Sequence, residues 1–134
     1  MTVAVDTSAL IAIINAEPEA TAFVDAIGTA SEALVSTATL LEAHFVACRW
    51  AGGVTAGDLQ SLIDRLELTV VAFDLVQMEA SRTAYALYGR GSGHRANLNM
   101  GDCFAYALAK TRNLPLLFKG DDFIHTDVEP ALKL

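Results

Sequence analysis

Short apolar runs alternate with longer stretches of helical period along this chain, and that alternation sets the fold class. Thr2 to Asp6 is a β-branched run that closes on an acid and reads as a buried strand. Helical character follows from Ser8 to Asn15. It returns from Glu19 to Gly28, with Pro18 ahead of the start and Gly28 as the expected stop. Ala33 to Ser36 is a second apolar run, before a longer helix from Thr37 to Trp50 that ends at Gly52-Gly53. Thr55 to Leu66 is again helical, and Leu68 to Phe73 reads as a third strand. Asp74 can cap a helix reaching Tyr88, with Met78, Ser81, Tyr85 and Tyr88 along one face. A loop from Gly89 to Asn99 breaks the pattern. Gly101 or Asp102 opens another helix to about Arg112, and Pro115 to Phe118 is a fourth strand leading into Gly120-Asp-Asp-Phe123. Strands alternating with helices predict an α/β fold, a parallel sheet covered on both faces.

A length of 134 residues leaves room for one domain, residues 1–134, and a hydrophobic fraction of 53% is ample for a core. The apolar stretch near the start, Ala9 to Ile14, stops well short of the roughly 20 residues a bilayer needs. Asp6 sits where a signal peptide would place basic and then apolar residues, so a cytoplasmic location is expected. Cys48 and Cys103 fall inside expected helices without partners at metal-ligand spacing, and are expected to be buried small apolar residues rather than a disulfide.

Nine Lys and Arg against 16 Asp and Glu give a net charge of −7, which at face value argues against nucleic acid. Setting aside four acids at one site leaves twelve acids against nine bases, or −3, and bound cations would reverse the local field. The acidic balance also suits a basic protein partner.

In an open parallel sheet, ligands bind outside the carboxyl ends of the strands. Asp6 ends the first strand, and Asp121 and Asp122 follow the fourth. Glu42 lies in the first turns of the helix after the second strand, and Asp102 at the start of a late helix. All can converge on one rim. Clustered carboxylates repel, and hard oxygen ligands of this kind suit Mg²⁺ or Mn²⁺. Two such ions about 4 Å apart would activate a water and stabilise the leaving oxygen of a phosphodiester. The chain offers neither a Cys/His cluster for zinc nor a Gly-x-x-x-x-Gly-Lys loop for nucleotides. Each acid also has a local role open to it. Asp6 can cap the following helix, Glu42 can close a capping box with Thr39, Asp102 can be an N-cap, and the Asp121-Asp122 doublet can be a solvated turn.

Three blocks of residues resemble PIN-domain ribonucleases: Val5-Asp6-Thr7-Ser8-Ala9-Leu10, the helix carrying Glu42, and Leu98-Asn-Met-Gly-Asp102-Cys-Phe-Ala-Tyr-Ala-Leu-Ala109. Pro115-Leu-Leu-Phe-Lys-Gly-Asp-Asp-Phe123 with Thr126-Asp127 is similar too. The likeness is to the VapC-type toxins of bacterial toxin–antitoxin pairs, and it spans essentially the whole chain. It implies a three-layer α/β/α fold around a parallel sheet of four to five strands. It also implies cleavage of RNA with one or two Mg²⁺ or Mn²⁺ ions per site, inhibition of translation and growth, and control by a cognate VapB-type antitoxin. Asp6, Glu42 and Asp102 match the family's first three acids, and Asp122 fits the fourth better than Asp121. The family habit and the apolar composition together predict a homodimer and a higher assembly with the antitoxin.

Thr7 and Ser8 are candidates to orient Asp6 through their hydroxyls, or to cap the helix. Arg90, His94 and Arg95 of the loop, with Lys119, are candidate contacts to RNA phosphates or to the antitoxin. Trp50 and the Phe and Tyr residues read as core or dimer contacts rather than base-stacking platforms. Two other readings compete: a PIN fold that binds without chemistry, and a receiver-like phosphoacceptor. The receiver would need a second acid after Asp6, where Thr7 stands, and a Lys-Pro where Lys119-Gly120 stands.

Overall fold

The computed structural model describes residues 1–50 and 55–133. Four strands make a fully parallel sheet: β1 (Thr2–Val5), β2 (Glu32–Ser36), β3 (Thr69–Val71) and β4 (Leu116–Leu117), in the order β3-β2-β1-β4. Six helices are interleaved with them: α1 (Thr7–Ile14), α2 (Ala20–Thr29), α3 (Thr37–Trp50), α4 (Ala56–Arg65), α5 (Leu75–Tyr88) and α6 (Met100–Arg112). The expected α/β class and the four-strand count hold.

The strands are buried on both faces, as parallel strands are. Val3, Val5 and Val35 point to one side and pack with Leu10, Phe23, Leu59 and Ile63. Ala4 and Leu34, one residue out of phase, point to the other and pack with Leu98, Leu108, Phe118 and Phe123. Helices therefore cover each face of the sheet, which gives three layers. Helix α6 is buried along most of its length, and its run of small residues, Ala105, Ala107 and Ala109, permits that close approach.

Several boundaries differ from expectation. Gly28 lies inside α2, which continues to Thr29 before Ala30 turns extended towards β2. Only Thr69–Val71 of the run from Leu68 to Phe73 is paired, because β3 is an edge strand bonded to β2 alone. Beyond Pro115, β4 is two residues long. Its outer side is closed by the tail, where Leu116 N–H donates to Glu129 O at 2.8 Å and Ala131 N–H to Leu116 O at 2.8 Å. On α5 the buried residues are Gln77, Ser81 and Ala84, whereas Met78 and Tyr85 are exposed. Gln77 turns inward because its Nε2 donates to Ala72 O at 2.9 Å, a polar contact that an apolar pattern passes over.

Cys103 is buried and Cys48 is exposed, and both are free thiols. The inward face of α3 is Thr39, Ala43 and Ala47, so Cys48 lies a further 100° or so around the helix. The expected helix stop at Gly52-Gly53 and the side chain of Trp50 lie outside the described residues.

Candidate functional site

Three carboxylates line one cavity of about 450 Å³, together with Thr7, Ser8, Glu17 and Lys119. Asp6 is the residue between β1 and α1. It caps α1: its Oδ2 accepts from Ser8 N at 3.0 Å and from Ser8 Oγ at 2.6 Å. Ser8 Oγ in turn accepts from Lys119 N at 2.9 Å, which ties the turn after β4 to the start of α1. Asp6 is only 4% exposed, and its carboxyl pKa is pushed up to about 6. Burial is the main cause and the charge of Glu42 adds to it, against the opposing hydrogen bonds from Ser8.

Asp102 occupies the third position of α6, not its cap. Asn99 is the cap, accepting from Asp102 N at 2.8 Å, while Asp102 Oδ2 accepts from Asn99 N at 3.0 Å. This capping box locks the Asp102 side chain beside the helix start. Its pKa rises to about 7, chiefly from burial, which the Asn99 hydrogen bond opposes and to which the charges of Asp6, Asp122 and Glu42 add.

Glu42 is not in a capping box with Thr39. Ser36 takes that role on α3, accepting from Thr39 N at 3.1 Å, one turn before the position that the spacing suggested. The Glu42 carboxylate is left to reach across to α1, where Thr7 Oγ1 donates to Glu42 Oε1 at 2.5 Å. The two hydroxyls thus part: Ser8 hydrogen-bonds Asp6, whereas Thr7 hydrogen-bonds Glu42. Residues 7 and 42 are too far apart in sequence for that pairing to be read locally.

The two aspartates of the doublet part company. The charge of Asp122 is felt at Asp102. Asp121 instead lines a separate cavity with Phe118, Ile124 and Pro130. Both are exposed.

The basic candidates do not share one place. Lys119 borders the acidic cavity, its Nζ paired with Glu17 and, at 3.0 Å, with Glu19. Arg90 lines a different groove, between α5 and α6. His94 is spent on the loop itself, packed edge-on against Tyr88 with ring centres 4.8 Å apart, its Nδ1 accepting from Ala96 N at 3.1 Å. Arg95 is exposed.

Two features were not anticipated. Gly101 lies against the Glu42 carboxylate, and Asn99 fixes Asp102. The Asn99-x-x-Asp102 spacing could have disclosed the second, since it spells a capping box. Farther down α6, Tyr106 Oη donates to Asp127 Oδ1 at 2.6 Å and Lys110 pairs with Asp127 at 3.0 Å, which anchors the tail.

The donor set is all oxygen, shares one cavity and is mutually repulsive, which suits a hard divalent cation. The acids surround a space without closing on it: among the described residues no three acidic, histidine or cysteine side chains are drawn close enough to hold an ion as they stand.

The PIN domain family model matches residues 3–129. The chain belongs to the PIN-domain family. Among relatives of this PIN-domain protein, Ribonuclease VapC28 of Mycobacterium tuberculosis is 46% identical over 128 residues, 96% of each chain. A toxin–antitoxin complex from Klebsiella pneumoniae has a chain that superposes with a TM-score of 0.70 at 18% identity, covering 98% of this chain and 99% of that one. The crystal structure of Mycobacterium tuberculosis VapC20, described as a sarcin-ricin loop cleaving toxin, superposes with a TM-score of 0.71 at 15% identity over 94% and 95% of the two chains. The structural matches give the three-layer fold, and the sequence match places the chain with the VapC ribonucleases. A receiver-like phosphoacceptor is thereby set aside.

Proposed function

We propose that this PIN-domain protein is a divalent-cation-dependent endoribonuclease acting as the toxin of a toxin–antitoxin pair. The observation that carries this reading is the single cavity lined by Asp6 and Asp102 from two helix beginnings and by Glu42 from the second turn of a third helix. Relatives that bear the name VapC ribonuclease, and a fold shared with a toxin–antitoxin complex, support it.

In this reading Asp6, Glu42 and Asp102 hold Mg²⁺ or Mn²⁺, one or two ions, with Asp122 completing the set from the turn after β4. The cation, when bound, activates water and stabilises the departing oxygen of the phosphodiester. The chain's own residues supply geometry. Ser8 holds Asp6, Thr7 holds Glu42 and Asn99 holds Asp102, so each carboxylate is oriented before substrate arrives. Lys119, on the cavity edge, can exchange its contacts with Glu17 and Glu19 for a phosphate.

Exposed apolar side chains on α3 (Leu41, Phe45) and α5 (Leu75, Val76) support a homodimer and an antitoxin-bound assembly. No helix among the described residues is long and apolar enough to cross a membrane, and cytoplasmic RNA is the substrate in this reading.

The test is cleavage of a single-stranded RNA by the purified chain with Mg²⁺, with Mn²⁺ and with EDTA, alongside Asp6→Asn. Cation-dependent cleavage lost in the variant is expected. Cleavage that persists in EDTA overturns the cation dependence, and none under any condition with a folded protein overturns the catalytic reading and leaves a binding module.

A further inference from the structure

A second cavity, about 470 Å³, lies between α5 and α6 and is lined by Arg82, Tyr85, Arg90, Asn99, Met100 and Phe104, among others. In a chain with 16 acids and a net charge of −7, no acid lines it and two arginines do. Neither arginine is in an ion pair among the described residues. Its walls are apolar and held in place. The Tyr85 ring rests on the backbone of Gly89, where even a Cβ would come within 2.6 Å of the ring, and Gly89 N–H donates to Tyr85 O at 2.9 Å. Phe104 is braced by Phe73, with ring centres 5.2 Å apart and edge to face. Beneath the groove, Ser81 Oγ donates to Cys103 O at 3.0 Å and joins the two helices.

The first turn of α6 contributes to both the groove and the acidic cavity. Asn99, Met100 and Cys103 border the groove, while Asp102 borders the cavity. Asn99 lines the groove and has its Oδ1 committed to Asp102 N, which leaves its amide nitrogen free to donate.

We propose that this groove is a nucleotide subsite, seating one unstacked base of the RNA beside the cleavage centre while Arg82 and Arg90 meet the adjoining phosphates. The proposal rests on the ribonuclease reading above and adds a place for the substrate. An aromatic wall and two cations match a base and its phosphates. A purely apolar partner would leave both arginines without counter-charges, and a basic peptide would meet them with like charge. The placement gives substrate selection a physical means: a base in the groove fixes which phosphodiester lies over the acids, and the Asn99 amide favours a base edge that presents an acceptor.

The test is fluorescence anisotropy of a labelled single-stranded RNA oligonucleotide with the full chain in EDTA, so that affinity is read without cleavage. Tyr85→Ala is expected to weaken binding about ten-fold. Arg90→Ala should weaken it and lower the slope of log affinity against log salt by about one. An abasic site at one position of the oligonucleotide should cost as much as Tyr85→Ala, and the two losses should not add. Thermal melts of the variants are expected to match the parent, because Tyr85 and Arg90 are exposed. Unchanged affinity in folded Tyr85→Ala and Arg90→Ala overturns the subsite, even where Asp6→Asn abolishes cleavage and the nuclease reading stands. Substitutions that shift the sedimentation coefficient and leave RNA affinity alone would make the groove a subunit contact, and overturn it equally. Should the parent cleave nothing yet bind the oligonucleotide through Tyr85, the nuclease reading falls and the subsite survives.

Discussion

A Cβ added to Gly101 would lie 1.6 Å from Oε2 of Glu42, and no other side-chain atom crowds that position so closely. The carboxylate of one helix rests on the bare backbone of another. Gly101 sits in the first turn of α6, where alanine is the better helix former, by up to about 1 kcal/mol. What must move is the end of a flexible side chain, so Gly101→Ala should fold with an unchanged or higher Tm. Cleavage should fall by about a hundred-fold, since a displacement of roughly 1 Å can cost that much. Paired melts and kcat measurements check this. A fall in Tm of several degrees would mean that the backbone, and not Glu42, had yielded.

Asp6 and Asp102 give the cation-free protein a pH dependence of definite sign. Each folded carboxyl holds its proton to higher pH than its unfolded counterpart, to about 6 and about 7. Their contribution to stability is therefore most favourable below about pH 4 and is lost as pH rises to 6 and 7, over the range in which the unfolded chain has released protons that the fold retains. For Asp6 the loss at pH 8 is of the order of 3 kcal/mol. In EDTA, Asp6→Asn should melt at or above the parent at pH 8 and lose that advantage at pH 4. A variant that melts lower at pH 8 would refute the cost of the buried Asp6 charge.

The hydroxyls can be tested one at a time. Thr7→Val keeps the shape of a buried residue and removes the donor to Glu42, and Ser8→Ala removes the donor to Asp6 and the acceptor for Lys119 N. Each should raise the Mn²⁺ concentration needed for half-maximal cleavage about ten-fold or more. If only Ser8→Ala has an effect, Glu42 does not help to hold the cation.

The doublet gives a sharper contrast. Asp122→Asn should slow cleavage by at least about ten-fold, because its charge reaches Asp102. Asp121→Asn, facing the cavity by Pro130, should cleave like the parent. Reversed results would exchange the two residues.

Much of this was legible in the chain. Periodicity located the six described helices, and Asp74 and Asp6 stand where caps were expected, whereas Thr55, read as helical, is itself a cap. The short strands were harder: a strand's length depends on its neighbours, and the run from Leu68 to Phe73 has one neighbour only. At the site, the convergence of Asp6, Glu42 and Asp102 follows from parallel topology, which places the end of every strand and the start of the next helix on one rim. Which hydroxyl serves which acid does not follow. Thr7 and Glu42 meet across 35 positions of chain, and Arg90 and Lys119, both basic and both near the rim, border different cavities.

The capping contacts also set the denticity of the rim. Asp6 has Oδ2 engaged by Ser8, Asp102 has Oδ2 engaged by Asn99, and Glu42 has Oε1 engaged by Thr7. Each carboxylate thus has one oxygen already accepting a hydrogen bond, and a chelating grip by both oxygens would ask that atom to serve the bond and a cation together. Small octahedral ions that keep several waters accept single oxygens readily, whereas calcium draws on six to eight ligands and commonly on bidentate carboxylates. In the proposed reading, these three hydrogen bonds would favour the smaller ion over calcium.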